Sequence, residues 1–501
     1  MRGWVGDTLR MAGALWYWNA RKSVFVLRGR RGQAPCQHPS DSGKAFETAC
    51  EAAAFWRDRS RFARRVCPLL KQNAKGAWVC SVDAARVRPF WGRTLGCYGI
   101  GTLTTVLLLG LAAYCGGRVI GYRATLRQVF WPPAWKELRE VRADYFLTKA
   151  QALVAKGQVR DAALALLTAR EINPGNYAIG MNLAQFYQVW RRDLVDRAYA
   201  DLLAHFPKRH AETANAWLHS LLARSELEGV AVLAQHELAD GSGDPAPWTY
   251  ALIFAARELK RPDWLDAVAR SKAPERVRAL LELETRVQRA PPDEARRLLS
   301  WTPPVEGFPL AAFEQIEGLI DLGDATSALV LLRGARASLT GRDVAKLALA
   351  SYAVAGDVNA VRREGRTLLA PTRGNSAGVA LVALHLIKYP DAELLRDCVA
   401  ALQRAADEPP ETRADTIVAV YFAAVCGGQP QYLPELRARL AEAHRASAAT
   451  LQHFEEIARG DDPGAALRAV LPVVQPMTLE LNYALIAKAY AWQRPRAARG
   501  R

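Results

Sequence analysis

From Ala143 onward, apolar residues recur at helical spacing in alanine- and leucine-rich segments separated by short polar stops such as Asn173-Pro174-Gly175 and Asp240-Gly241-Ser242-Gly243. The apolar-polar alternation that marks a half-buried strand is nearly absent there. The pattern predicts antiparallel helix pairs and no sheet over residues 143–490. A different pattern precedes it. Residues 94–117 contain no charge, and Val106–Tyr114 reads VLLLGLAAY between Arg93 and Arg118. A run of about 20 apolar residues spans a bilayer core, so residues 94–120 are expected to form one transmembrane helix despite their glycines. The run begins too late for a cleaved signal peptide.

Phe146, Ala150, Leu153, Gly157, Ala162, Leu166, Ala169 and Pro174 fit a helix, a glycine turn, a second helix and a proline stop. The small residues let paired helices approach, and the larger ones fill between them. A second unit follows with Leu183, Ala184, Tyr187, Ala198, Leu202 and Pro207. At these residues the chain resembles the tetratricopeptide repeat, whose helix-turn-helix unit carries aromatic, small, small and proline markers at matching offsets. The segment Ala198–Pro207, AYADLLAHFP, is similar to bacterial members. Later units keep glycine turns at Gly323 and Gly356 but lose most other markers. The resemblance implies an all-α fold, an α-solenoid of such hairpins, with a globular bundle as the alternative for the C-terminal half. It also implies a concave face lined by the first helix of each unit. Asp144, Gln151, Gln185 and Gln188 are its candidates for contact with a protein or peptide partner, against ordinary solvation of a polar face.

Composition sharpens the view of the N-terminal part. The chain of 501 residues carries a formal charge of +17, and residues 1–93 hold eighteen basic against six acidic side chains. Cys36 and Cys50 sit symmetrically about Gly43, and Cys67 and Cys80 flank Asn73-Ala74-Lys75-Gly76. Two hairpins contributing two thiolates each would suit Zn²⁺ and would stabilise a small domain with little apolar core. Two disulfides, or four unrelated thiols, are the alternatives. The basic run Arg57, Arg59, Arg61, Arg64 and Arg65 reads as a solvated face beside a membrane span rather than a nucleic-acid grip. Trp4, Val5, Leu9, Ala12, Leu15 and Trp16 mark an amphipathic helix that either lies in the membrane interface or packs on the cysteine domain.

Catalytic signatures do not hold up. Gly374-Asn375-Ser376-Ala377-Gly378 matches a nucleophile elbow, but a helical segment and Pro371 precede it where a strand is required, so Ser376 reads as a helix cap. Gly96-Cys97-Tyr98-Gly99-Ile100-Gly101 imitates a dinucleotide fingerprint inside the apolar run. The expected organisation is a basic cysteine domain at 1–93, a span at 94–120, a juxtamembrane linker at 121–142, helical repeats at 143–490 and a basic, disordered tail at 491–501. Basic residues tie across the span, and the charge of the N-terminal domain favours keeping it inside a bacterial cytoplasmic membrane with the repeats outside. The expected role is a non-catalytic, membrane-anchored scaffold. Its rivals are a zinc-dependent sensor of nucleic acid or anionic lipid, and a subunit of a membrane-associated enzyme complex.

Overall fold

A computed structural model describes residues 2–32, 34–35, 70–72, 74, 78–80, 84–89, 91–241, 243–370, 376–404, 410–443, 446–460 and 462–493. Among them the chain is overwhelmingly helical and divides into two compact units, residues 1–149 and 150–501.

The first unit opens with α1 (Arg2–Leu27). The hairpin expected around Asn73–Gly76 is present in its strands: β1 (Leu70–Gln72) pairs antiparallel with β2 (Trp78–Cys80), Leu70 opposite Cys80. A helical turn at Trp91–Thr94 and a π-turn at Leu95–Gly99 lead into α2 (Ile100–Ile120). This helix is long and apolar enough to cross a membrane, and none of its apolar window is buried. It ends where Gly121 turns left-handed (φ 107°), placing its N–H on the carbonyls of Gly117 and Arg118. The short helix α3 (Leu126–Phe130) is fixed by a capping box in which Thr125 and Gln128 exchange hydrogen bonds. Pro132–Ala134 then breaks the chain as a single 3₁₀ turn before α4 (Trp135–Ala155). Residues 136–144 of α4 hold six ionisable side chains. At roughly 2.5–3.5 kcal/mol for each at a bilayer centre, this stretch belongs in water.

The second unit continues through α5 (Val159–Ile172), α6 (Tyr177–Trp190), α7 (Arg192–His205), α8 (His210–Ala223), α9 (Leu227–Asp240), α10 (Ala246–Leu259), α11 (Asp263–Ala269), α12 (Glu275–Arg289), α13 (Pro292–Trp301) and α14 (Pro309–Asp321). Then come α15 (Ala325–Ala335), α16 (Gly341–Val354), α17 (Val358–Leu368), α18 (Ser376–Lys388), α19 (Ala392–Arg404), α20 (Pro410–Cys426), α21 (Leu433–Glu442), α22 (Ala448–Ala458), α23 (Pro463–Val470) and α24 (Leu479–Gln493). Most pack mainly on their neighbours in sequence, while α18 packs chiefly on α20, past α19.

One local device recurs at many of the breaks. At Gly323 (φ 79°) and Gly356 (φ 73°) the chain turns left-handed after a helix, and Asp324 or Asp357 then caps the next helix through its side chain. Only glycine takes that backbone without strain, and aspartate is a preferred cap, so the Gly-Asp pair encodes the hairpin. Gly157 and Gly428 make the same turn, and so do Ser225 (φ 56°) and Lys260 (φ 54°). The small residues of the first unit of the repeat pattern behave as read: Ala150, Ala162 and Ala169 are all buried.

The last helix departs from a simple stack. Besides its neighbour α23, α24 packs on α8, α10 and α18, which lie far earlier in the chain, and it runs on to Gln493 rather than ending near Tyr490. Tyr483 meets Tyr250 and Phe254 edge-on at centroid distances of 4.9 and 4.7 Å. One apolar core therefore draws residues from Ala214 through to Ala489, beside a second cluster that runs from Leu299 to Leu347.

Candidate functional site

The described residues converge chemically at one place, a buried ionic cluster joining α10, α12, α14 and α16. Glu284 stands in α12 at the next step of the apolar series Val277, Leu280, Leu281, so the helix that buries those leucines buries a carboxylate with them. Arg257 on α10 answers it with a two-pronged contact: Nε donates to Glu284 Oε1 at 2.7 Å and Nη2 to Oε2 at 2.8 Å. Gln288 adds a third donor at 2.8 Å.

Arg257 also faces α14, where its Nη1 lies 2.9 Å from Glu314 Oε2 and 3.9 Å from Glu317 Oε2. The Glu314 contact is close but not aligned as a hydrogen bond, and neither carboxylate oxygen has a hydrogen-bond partner. Lys346 on α16 pairs with Glu317 at 3.4 Å. Burial raises the Glu314 carboxyl, Arg257 opposes this, and the charges of Glu317 and Glu284 add to it, leaving it pushed up to about 8. Glu284 and Glu317 suffer the same desolvation, yet Arg257 and its hydrogen bonds hold the first below the usual carboxylate range, and Lys346 does so for the second. Glu314 is thus the neutral member at neutral pH, which brings the cluster close to charge balance. Tyr250 and Tyr483 border it, and burial raises both phenols.

Polar pairs of similar sequence span occur elsewhere in the second unit: the ion pairs of Asp196 with the buried Arg224 at 2.6 Å and of Arg362 with Asp391 at 2.9 Å, and a hydrogen bond between His210 and Glu237 at 2.9 Å. Their separations of 27 to 29 residues match that of Arg257 and Glu284, close to the length of one hairpin. Asp196–Arg224, Arg257–Glu284 and Arg362–Asp391 tie one helix pair to the next, and His210–Glu237 joins α8 to α9 within a pair. Sequence reading missed them, although a charge at an apolar-face position was a usable signal at Glu284.

A cleft of about 380 Å³ is lined by Arg342, Ser376, Asp415, Thr416, Thr478 and Leu481 among others. Arg342 is paired there with Glu480. Ser376 is buried at the start of α18, in keeping with a helix-terminal role, and no histidine lines the cleft. Cys398 and Cys426 are free thiols whose burial pushes each up to about 12, where they are inert.

Of the residues singled out for partner contact, Asp144 and Gln151 on α4 and Gln185 on α6 are exposed, whereas Gln188 is only 9% exposed. Cys36, Cys50 and Cys67 lie outside the described residues. Cys80 ends β2, and no group of potential metal ligands occurs among the described residues. No family model, no curated protein and no solved structure matches this chain.

Proposed function

We propose that this protein is a single-pass membrane scaffold. Residues 94–120 anchor it, and an α-solenoid of tetratricopeptide-like hairpins presents a binding surface to a protein or peptide, without catalysis of its own. One observation carries the reading. In α2, Leu103, Val106, Leu107, Leu108, Leu109 and Leu111 are each about half exposed or more. At roughly 1.5–3 kcal/mol for complete burial of each, leaving them in water forfeits on the order of 5–10 kcal/mol, comparable to the whole stability of a domain. A lipid bilayer recovers that free energy.

The recurring left-handed turns and the ion pairs one hairpin apart support a repetitive array. The interior charges are matched to one another rather than aimed at an open cleft, which supports a structural role for them. Because α24 occupies the ground between α8, α10 and α18, the partner surface is assigned to the first hairpins. There Gln151 and Gln185 are exposed, and Leu164 and Leu167 share the outer face of α5 at 57% and 40% exposure. The cysteine domain, with Zn²⁺ on Cys36, Cys50, Cys67 and Cys80, belongs on the cytoplasmic side and the array on the other.

Alkaline carbonate washing tests the anchor. The full chain should stay with the membrane, and a Leu107→Arg, Leu109→Arg version should be released or degraded. Release of the unaltered chain would overturn the proposal.

A further inference from the structure

We propose that the hydrocarbon core of the membrane takes up residues 94–113, and that the last turns of α2, from Tyr114 to Ile120, stand in the headgroup layer beside a collar made by α3 and α4 that is open at Val119 and Ile120. This rests on the transmembrane reading above and specifies which part of the helix meets lipid.

The charge-free run of residues 94–117 extends about 36 Å as a helix, longer than a core of about 30 Å, so composition alone leaves the register open. Packing closes it. Gly121 reverses the chain, and α3 lies back along α2 with the Phe130 ring seated on Gly110. A Cβ at that position would come 2.0 Å from Phe130 Cε1 and 2.5 Å from Cζ. The Trp135 indole donates to the Val129 carbonyl at 3.2 Å, which fixes the start of α4 beside the same level. Ten residues later, Tyr145 reaches Gly121, its Cε2 only 3.0 Å from where a Cβ would stand, and meets Tyr122 edge-on at 4.8 Å. Residues 135–145 are thus tied to α3 at one end, through Trp135, and to the Gly121 end of α2 at the other, through Tyr145. They carry Lys136, Glu137, Arg139, Glu140, Arg142 and Asp144. Hydrocarbon does not reach that far up α2.

Both interfaces are marked by aromatic side chains, which favour the headgroup level. On the far side are Tyr114, with the Arg118 guanidinium 6.0 Å from its ring centre, and Trp131 and Trp135, 57% and 56% exposed. On the near side is Trp91, whose indole donates to Ser23 Oγ of α1 at 2.9 Å and whose ring meets Trp16 edge-on at 5.0 Å. From there α1 exposes Trp16, Tyr17, Arg21, Val24 and Leu27, with Arg28 exposed in the turn after it, a combination suited to an anionic headgroup layer. Trp91 and Tyr114 stand about 34 Å apart along the helix, one bilayer core with its two aromatic rims. A core centred on Ile100–Ile120 would instead bury Tyr114 and part of the charged collar and strand Trp91 in water.

Two native cysteines report the register. Cys97 would lie about 10 Å from the centre of residues 94–113 and Cys115 about 17 Å, whereas for 100–120 the values are about 20 Å and 8 Å. Open membrane sheets holding the full native chain are treated with a charged, water-soluble maleimide. Labelling at each cysteine is read by peptide mass spectrometry, against the same sample relabelled in detergent. The expected result is labelling of Cys115 at least ten-fold above Cys97 before detergent. A Gly110→Leu chain, which has no room for Phe130, should lose that preference while resisting carbonate. Preference for Cys97, or protection of both sites, overturns the register and leaves the anchor standing. Equal labelling of both in a chain that carbonate extracts overturns the anchor itself.

Discussion

Replacing Glu314 with glutamine should make the stability gap between variant and wild type widen as pH rises from 5 to 8. The carboxyl is 1% exposed, it lacks an aligned hydrogen bond, and burial together with Glu317 and Glu284 pushes it from an ordinary 4.5 up to about 8. The sign follows from proton linkage. Below pH 4.5 folded and unfolded chains both hold the proton, and between 4.5 and 8 only the folded chain does. Its contribution to stability is thus complete at low pH and lost as pH climbs through that window, by at most about 1.4 kcal/mol per pH unit. Glu284 and Glu317 shift the other way, so their contribution is present above their unfolded values and fades only on further acidification. They do not mask the effect. Glutamine is neutral at every pH and takes up no proton, so between pH 5 and 7 it should gain on the order of 2–3 kcal/mol relative to glutamate. Guanidinium unfolding of the detergent-solubilised chain, followed by helical circular dichroism at each pH, measures the gap. A gap that stays constant or shrinks as pH rises would refute the neutral assignment of Glu314.

Ala162 is fully buried at the first helix crossing, and Ala162→Trp should cost on the order of 1–3 kcal/mol or more, read as a lower melting temperature; no change would show that the register of that hairpin is wrong. Tyr483→Ala should cost about 3–5 kcal/mol, because it empties the place where α24 meets Tyr250 and Phe254; a cost under about 1 kcal/mol would mean that α24 is not part of the core. Reduced protein purified without chelator should contain one zinc per chain, and any single Cys→Ser change among Cys36, Cys50, Cys67 and Cys80 should lower it. Paired oxidation of these thiols would contradict both the metal and the chosen orientation.

Much of the helical architecture was legible because local chemistry encodes it. Gly323-Asp324 and Gly356-Asp357 write a left-handed stop and a helix cap in adjacent letters, and the spacing of Ala150, Ala162 and Ala169 marks the close crossings. Where an ordinary side chain tolerates the same turn, as at Ser225 and Lys260, the hairpin boundary leaves no such mark. The contacts of α24 were not legible for a different reason. Its apolar faces suit any helical neighbour, and nothing local states that the neighbours are α8, α10 and α18. The buried ion pairs fall between these cases. Glu284 interrupts an apolar stripe and announces itself, but its partner Arg257 looks like any surface arginine until the hairpins are stacked. The apolar run of α2 was legible in its length, whereas the seating of Phe130 on Gly110 was not, since it depends on the chain turning back at Gly121.

Protease accessibility of the full chain in spheroplasts tests the central claim most directly, because it asks at once whether the helical array is anchored and on which side it lies. Protease added from outside should digest the array and leave a membrane-retained N-terminal fragment ending near α4, with the cysteine domain protected until the cells are lysed. A chain that is wholly protected while resisting carbonate would reverse the orientation, and one that carbonate frees from the membrane intact would contradict the anchored scaffold altogether.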